Sequence, residues 1–181
     1  MTLFKQLMLI GLLTSLAIGA EEPVRYQVTG LFYPDRVHDL RETFKALPEI
    51  ELIEVDVDRA EVHVRYDAKT AFPNAKPEDL IKQLDNKVRN ASQHTFGVKA
   101  LCTTPRTELT FIEIDVGGLD CKACSFGAYD AIYRLDGVEQ ATASFKTGKV
   151  TAWIHPDKTT REALEEALKK RGVTLVPAAE Q

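Results

Sequence analysis

Cysteine is scarce in this chain: its 181 residues include three, Cys102, Cys121 and Cys124. Three thiols cannot all pair with one another, so at least one is free or holds something else. The formal net charge is -4 and Lys and Arg form no cluster, which excludes the basic face that nucleic acids require. A glycine-rich phosphate loop, a histidine-based nucleophile arrangement and paired carboxylates are also missing. We therefore expect a protein that is not an enzyme and does not bind nucleic acid.

Long apolar runs are equally scarce. The single one covers residues 7–20, follows Lys5, ends in small residues and precedes two glutamates. It has 14 residues, whereas a helix that spans a bilayer needs about 20. A signal peptide over residues 1–20 is therefore predicted, with an uncleaved anchor as the alternative. No membrane association apart from this segment is expected, and the predicted location is periplasmic or secreted, where disulfides persist.

What is present instead is an internal repeat. The sequence from Val28 and the sequence from Val116 align without a gap at an offset of 88 residues, so that Gly30 falls on Gly118. Both copies show an alternating strand, an amphipathic helix, a hairpin, a second helix and a final strand. Similarity of this length indicates duplicated domains, and the order βαββαβ is that of the ferredoxin-like fold. We predict an α+β protein of two tandem ferredoxin-like domains.

The repeat also predicts the domain boundaries. The first domain is expected over residues 21–102, a linker over 103–107 and the second domain over 108–177. The first copy carries extra residues, KTAFPNAK, before its second helix. In the second copy, Thr160 is the expected N-cap of the last helix, because its hydroxyl can accept from a free backbone N–H group. Gly172 is the expected C-terminal stop of that helix.

The stretch GLDCKAC, residues 118–124, lies between the first strand and the first helix of the second copy. Its Cys-x-x-Cys spacing lets two sulfurs converge on one ion, and thiolates rather than thiols bind soft cations. Cys124 is expected in the first helical turn, where backbone N–H groups and the helix dipole favour an anion. We expect the helix start and the nearby charge of Lys122 both to lower the thiol pKa.

The same loop carries clues to the kind of ion. Two sulfurs suit Cu(I) or Hg(II), whereas a carboxylate at Asp120 would add a harder oxygen ligand that suits a divalent ion such as Zn(II). The alternative for Asp120 is that it caps the helix or faces solvent. The predicted metal ligands are therefore Cys121 and Cys124, with Asp120 as a further candidate.

On these residues the second half, about 108–176, resembles heavy-metal-associated domains. This family comprises small metal chaperones, the periplasmic mercury-binding protein and the metal-binding modules of P-type ATPases. Its pattern is Gly-Met-x-Cys-x-x-Cys between a strand and a helix, and the helix often ends in Leu-x-Gly-Val, here LDGV from Leu135 to Val138. Leu119 replaces the Met, a volume-conserving change. Val173 stands where the family often has an aromatic residue or Lys beside the metal loop.

The resemblance implies one bound metal ion of the Cu(I), Zn(II) or Hg(II) kind, and a role as chaperone, scavenger or transfer module. It also implies a metal-transporting ATPase or another metal-binding domain as the partner. The first copy places Tyr33 and Arg36 where the cysteines would be. Because neither is a soft metal ligand, the first domain resembles the family in fold only, and we expect it to dock or to act as a spacer.

Two other functions remain open at this point. Cys121 and Cys124 could cycle between dithiol and disulfide in a redox protein, or the repeat could be an interaction scaffold that binds no metal. Cys102, far from the loop in sequence, is expected to be buried or idle, with a disulfide to another chain or a third sulfur for the metal loop as alternatives. Surface positions are expected for the four histidines, His38, His63, His94 and His155, which do not cluster in the sequence.

Overall fold

The computed structural model describes residues 22–177. The predicted signal peptide lies outside the described residues. Two units follow each other: unit one spans residues 24–99 and unit two spans residues 106–175. The elements of unit one are β1 (Val24–Thr29), α1 (Arg36–Lys45), β2 (Glu51–Asp56), β3 (Glu61–Arg65), α2 (Ala68–Ala71), α3 (Leu80–Ala91) and β4 (Gly97–Lys99). The elements of unit two are β5 (Thr110–Gly117), α4 (Lys122–Tyr133), β6 (Val138–Ser144), β7 (Lys149–Ile154), α5 (Arg161–Lys170) and β8 (Thr174–Leu175).

Each unit contains one antiparallel sheet of four strands. The order is β2-β3-β1-β4 in unit one and β6-β7-β5-β8 in unit two. The first strand of each unit is thus central, and the hairpin that follows the first helix forms one side of the sheet. This is the ferredoxin-like arrangement, so the predicted α+β fold with two tandem domains is confirmed. Among residues 22–177, no helix has the length and apolar character to cross a bilayer.

The two cores are built from equivalent positions of the repeat. Phe44 on α1 and Ile132 on α4 are both buried, as are Val62 on β3 and Val150 on β7. Burial alternates along β3 and β7, because successive side chains of a strand point to opposite faces. The offset of 88 residues therefore holds in the packing as well as in the sequence. The domain boundaries themselves stay a prediction.

The ends of the helices also follow the sequence. The Thr160 hydroxyl accepts a hydrogen bond from the backbone N–H of Ala163 at 3.4 Å, and so Thr160 is the N-cap of α5 as expected. Gly172, which follows α5, has a φ of +82° in the left-handed region that favours glycine. The extra residues of unit one include the one-turn helix α2, which Asp67 caps by accepting from the backbone N–H of Lys69 at 2.7 Å.

One loop of unit one completes the core of unit two. The loop between β1 and α1 places Leu31 in the core of unit one and the next residue, Phe32, in the core of unit two. The Phe32 ring lies 5.6 Å from the Phe126 ring and 5.7 Å from the Tyr129 ring, measured between centroids. Its carbonyl accepts a hydrogen bond from the N–H of Ala143 at 2.9 Å. The two units are therefore joined through β6, the edge strand of the second sheet.

Polar contacts support the same interface. The N–H of Gly30 donates to the Tyr129 hydroxyl at 2.7 Å, and the Gln27 side chain donates to the Glu139 carbonyl at 2.9 Å. Lys146 pairs with Asp35 at 2.7 Å. Unit one thus lies against α4, β6 and the turn after β6, and Gly30 and Asp35 stand where the second copy has its cysteine loop.

Candidate metal centre

The cysteine loop leaves the sheet at the end of β5. Gly118 has a φ of +77°, which turns the chain away from the strand and favours a residue without a Cβ. Leu119 is 5% exposed and packs in the core of unit two, so the residue that replaces the family's Met is a buried anchor. Asp120 and Cys121 follow it and are exposed. One buried side chain therefore fixes the loop while the two following residues face solvent.

Cys121 is the N-cap of α4. Its backbone is extended, with φ -153° and ψ 165°, and its sulfur accepts a hydrogen bond from the N–H of Cys124 at 3.2 Å. A sulfur in this position takes the place that a Ser or Asp oxygen commonly fills at a helix start. The sequence offered Asp120 as a possible cap of this helix, but the N-cap of α4 is Cys121. Cys124, in the first turn of α4, is half-buried, and all three cysteines are free thiols.

The two thiols of the loop differ in acidity. Hydrogen bonds from the Cys124 side chain and from the backbone N–H groups of Cys124 and Ala123 lower the pKa of Cys121, although the charge of Asp120 opposes the shift. The pKa of Cys124 is raised, first because its thiol is hydrogen-bonded to the Cys121 sulfur and then because of burial. The expectation of a lowered pKa is confirmed for Cys121 and wrong for Cys124. The N–H groups of the first turn thus favour the thiolate form of the capping Cys121 sulfur over that of Cys124.

A depression of about 230 Å³ adjoins the loop. It is lined in part by Cys124, Gly127, Arg171 and Val173. Val173 is buried, and its position beside the loop is the one that the resemblance implies. Arg171 lies next to Gly127, with its Nε 3.4 Å from the place where a Cβ would stand. The loop therefore has a cationic neighbour besides Lys122.

The equivalent residues of unit one serve packing. The Tyr33 ring lies 6.1 Å from the Phe145 ring, and the Lys146 ammonium lies over Tyr33 at 5.3 Å from its centroid. The Arg36 guanidinium lies near the rings of Phe32 and Phe96, at 5.5 and 5.2 Å, and pairs with Asp39. The first copy thus has ring and cation contacts where the second copy has thiols.

A second set of metal-ligating side chains lies elsewhere. Within residues 22–177, the only group of three or more His, Cys, Asp or Glu side chains with all ligand atoms within 4.8 Å of one another is Cys102, Glu139 and His155. Asp120 and the two loop sulfurs form no such group. Cys102, expected to be buried or idle, and His155, expected at the surface, are both half-buried, and they share Glu139 as a neighbour.

Only a coarse sequence signal for this cluster existed. Val138 pairs with Ile154 in the β6–β7 hairpin, which brings Glu139 and His155 to the same end of the sheet. A regular register would set Glu139 opposite Trp153, and the irregularity between Val138 and Gln140 is not visible in the sequence. Cys102 lies in the segment that joins the two units, and no local pattern links it to that hairpin.

Comparison with known proteins gives matches whose length is close to that of one unit. No family model matches the chain. The chain is 37% identical over 68 residues to a copper-exporting P-type ATPase of Staphylococcus saprophyticus. This match covers 38% of this chain and 9% of the ATPase. The chain is also 29% identical over 72 residues to a zinc-transporting ATPase of Synechocystis. This match covers 40% of this chain and 10% of the ATPase. The chain thus spans about a tenth of these two relatives.

A third relative is matched over most of its length. The chain is 31% identical over 61 residues to the periplasmic component of a mercuric transport protein of Shewanella putrefaciens. That match covers 34% of this chain and 67% of the relative. Among solved structures, oxidised MerP from Ralstonia metallidurans aligns with a TM-score of 0.36 and 24% identity, over 38% of this chain and 94% of that one.

Proposed function

Because this chain belongs to the heavy-metal-associated domain family, we propose that unit two binds one soft or borderline metal ion through Cys121 and Cys124. The observation that carries the proposal is the pair of free thiols at the start of α4, of which Cys121 is exposed and has a lowered pKa. A thiolate is the form that binds metal, and here the helix start stabilises it. The ion is cargo for this protein rather than a resident cofactor.

Binding requires only small changes in the loop. Cys121 already presents its sulfur to solvent at the helix N-terminus, where it accepts a hydrogen bond from the N–H of Cys124. An incoming cation displaces the thiol protons to solvent, so both sulfurs bind as thiolates. Two thiolates suit Cu(I) or Hg(II). For a divalent ion such as Zn(II), the exposed carboxylate of Asp120 supplies a third donor.

The proposed activity is ligand exchange, not catalysis. An ion held by two thiolates on an exposed loop can accept a third thiolate from a partner before it leaves Cys121 or Cys124. The partner that fits this chemistry is a metal-transporting ATPase or another metal-binding domain. We place the protein in the periplasm or outside the cell, in line with the predicted signal peptide. Unit one supports unit two through its cysteine-free loop.

The test is a metal titration in which the loop holds the only thiols. Cys102→Ser achieves this, because the chain has three cysteines. Cu(I), Hg(II) and Zn(II) are each added to the reduced protein in competition with a chelator, and bound metal is read by intact mass. We expect one retained ion with at least one of these metals. Cys102→Ser/Cys121→Ser/Cys124→Ser should retain none.

Asp120 is tested in the same assay. Asp120→Ala should weaken Zn(II) binding and leave Cu(I) and Hg(II) binding unchanged, because the borderline ion Zn(II) uses the carboxylate oxygen and the two soft ions do not. Asp136→Ala, which removes an exposed carboxylate just beyond the other end of α4, is the matched control. If the loop retains no metal above the triple variant, the proposal fails. A measured reduction potential for the Cys121–Cys124 pair within the range of the compartment would then favour the dithiol function.

A further inference from the structure

A mixed set of metal-binding side chains lies where the joining segment meets unit two. Cys102 lies between β4 and β5, Glu139 is the second residue of β6, and His155 directly follows β7. Their ligand atoms all lie within 4.8 Å of one another, and His155 Nε2 is 2.9 Å from a Glu139 carboxylate oxygen. We propose that Cys102, Glu139 and His155 form a second metal site, separate from the cysteine loop, that takes a borderline divalent cation such as Zn(II).

The site is too far from the cysteine loop to share an ion with it. Ile154, the neighbour of His155, pairs with Thr110 at the start of β5, whereas the cysteine loop follows Gly117 at its end. A strand of eight residues covers roughly 20–25 Å at about 3.4 Å per residue. Cys102 therefore cannot be a third sulfur for Cys121 and Cys124. The two sites lie at opposite ends of the second sheet.

The donor set decides the kind of ion. One thiolate, one imidazole nitrogen and one carboxylate oxygen match the ligands of Zn(II), whereas Cu(I) and Hg(II) favour sulfur alone. In a tetrahedral zinc site, bond lengths of about 2.0–2.3 Å place neighbouring ligand atoms roughly 3.5 Å apart. Atoms that already lie within 4.8 Å of one another need to approach by about 1.3 Å at most to reach that geometry. Rotation of the Cys102 side chain away from the Thr104 carbonyl, 3.7 Å from its sulfur, provides such a shift.

The carboxylate of Glu139 is oriented before any ion arrives. Burial alone would raise the pKa of Glu139, but hydrogen bonding to His155, the charge of Lys99 and contact with Cys102 outweigh it and hold the pKa below its usual value. Lys99 Nζ lies 3.5 Å from the carboxylate oxygen that does not face His155. One oxygen is thus held by Lys99 while the other faces the nitrogen of His155. Such a second contact fixes the direction in which a ligand points.

A cleft gives access to the cluster. It has a volume of about 360 Å³ and its lining includes Cys102 and Glu139 together with Gln27 of unit one and Trp153 of unit two. Because two of the three protein donors line this cleft, a fourth coordination position is open to water or an incoming ligand. Because Cys102 belongs to the joining segment, a bound ion would tie that segment to the β6–β7 hairpin. Metal binding and the arrangement of the two units are therefore coupled at this site.

The experiment uses the full protein with Cys121→Ser/Cys124→Ser, which leaves Cys102 as the only thiol in the chain. Co(II) serves as a spectroscopic probe, since its thiolate complexes absorb by charge transfer, and Zn(II) is then added to displace it. We expect one bound Co(II) with a thiolate band that Zn(II) abolishes. Since every other thiol has been removed, the band can arise from Cys102 alone. Failure of the cysteine loop to bind metal would not affect this outcome.

The nitrogen and oxygen donors are tested by substitution in the same background. His155→Gln should weaken Zn(II) binding about tenfold or more, because loss of even an outer-shell partner has an effect of that size. His63→Gln is the matched control, since His63 pairs with Glu54 at 3.3 Å but has no cysteine beside it. Circular dichroism of each metal-free variant reports whether it folds.

Two results would overturn the proposal. One is the absence of a thiolate–Co(II) band in the Cys121→Ser/Cys124→Ser protein. The other is equal Zn(II) affinity in His155→Gln and His63→Gln. Should His155→Gln not fold, NMR of the unsubstituted histidine decides the matter: Zn(II) at one equivalent must shift the His155 imidazole resonances and leave those of His63 in place. Unchanged His155 resonances would equally refute the site.

Discussion

Replacement of Phe32 by Ala should destabilise unit two, although Phe32 belongs to unit one. The ring is 3% exposed and packs with the core of unit two, against Phe126 and Tyr129. Leu31, its neighbour, packs in the core of unit one, which should therefore keep its own packing. We expect Phe32→Ala to lower the free energy of unfolding of unit two and to leave that of unit one nearly unchanged.

The magnitude follows from burial. A buried Phe replaced by Ala costs about 3–5 kcal/mol, which includes the cavity left behind and the lost contacts between rings. We expect the lower end, about 3 kcal/mol, because a loop can close over part of the space more readily than a strand can. With a urea m-value of about 1–3 kcal/mol/M for a small domain, this loss lowers the unfolding midpoint by roughly 1–3 M.

The assay is equilibrium urea unfolding followed by tryptophan fluorescence and by far-ultraviolet circular dichroism. The single tryptophan, Trp153, lies on β7, so fluorescence reports on unit two while circular dichroism reports on both units. Phe111→Ala is the matched control, because Phe111 is 48% exposed and its loss should cost about 1 kcal/mol. If Phe32→Ala shifts the fluorescence midpoint no further than Phe111→Ala does, Phe32 does not complete the second core.

Two further outcomes are expected from the loops. In the reduced, metal-free protein, iodoacetamide should modify Cys121 before Cys124. As the pH is raised, the rate at Cys121 should begin to increase at a lower pH than the rate at Cys124, because the pKa of Cys121 is lowered and that of Cys124 is raised. Peptide mapping across a pH series measures both rates, and equal pH profiles would contradict the prediction. Gly30→Ala should lower the thermal midpoint far more than Gly118→Ala. A Cβ at Gly30 would stand 2.0 Å from the Thr95 carbonyl oxygen, whereas one at Gly118 meets nothing within 4 Å and costs about 1–2 kcal/mol from backbone strain alone.

The fold could be predicted from the sequence because its determinants are local and occur twice. Alternation on β5, the helical stripe that includes Ile132 and the cap at Thr160 each indicate one element, and the second copy repeats their order. Agreement between two copies makes an accidental pattern improbable. The cysteine loop could be located for the same reason, since its place between strand and helix follows from the element order.

The remaining features depend on contacts between distant parts of the chain. In the sequence, Phe32 is indistinguishable from an ordinary loop residue. It becomes buried only when unit one packs on α4. Cys102 meets Glu139 and His155 only once the hairpin and the joining segment are both in place. The raised pKa of Cys124 depends on which sulfur receives the N–H groups of the first turn, and residue spacing alone does not fix that choice.

The hydrogen bond between the Ala143 N–H and the Phe32 carbonyl bears on how the chain assembles during synthesis. An uncovered edge strand such as β6 presents unpaired backbone groups that can join the same strand of another copy. Chains grow from the N-terminus, so the Phe32 loop exists before β6 emerges. Strand β6 can therefore pair with the Phe32 loop of its own chain before it encounters β6 of another molecule. A chain that begins after unit one would have no such neighbour, and its copies would associate along β6.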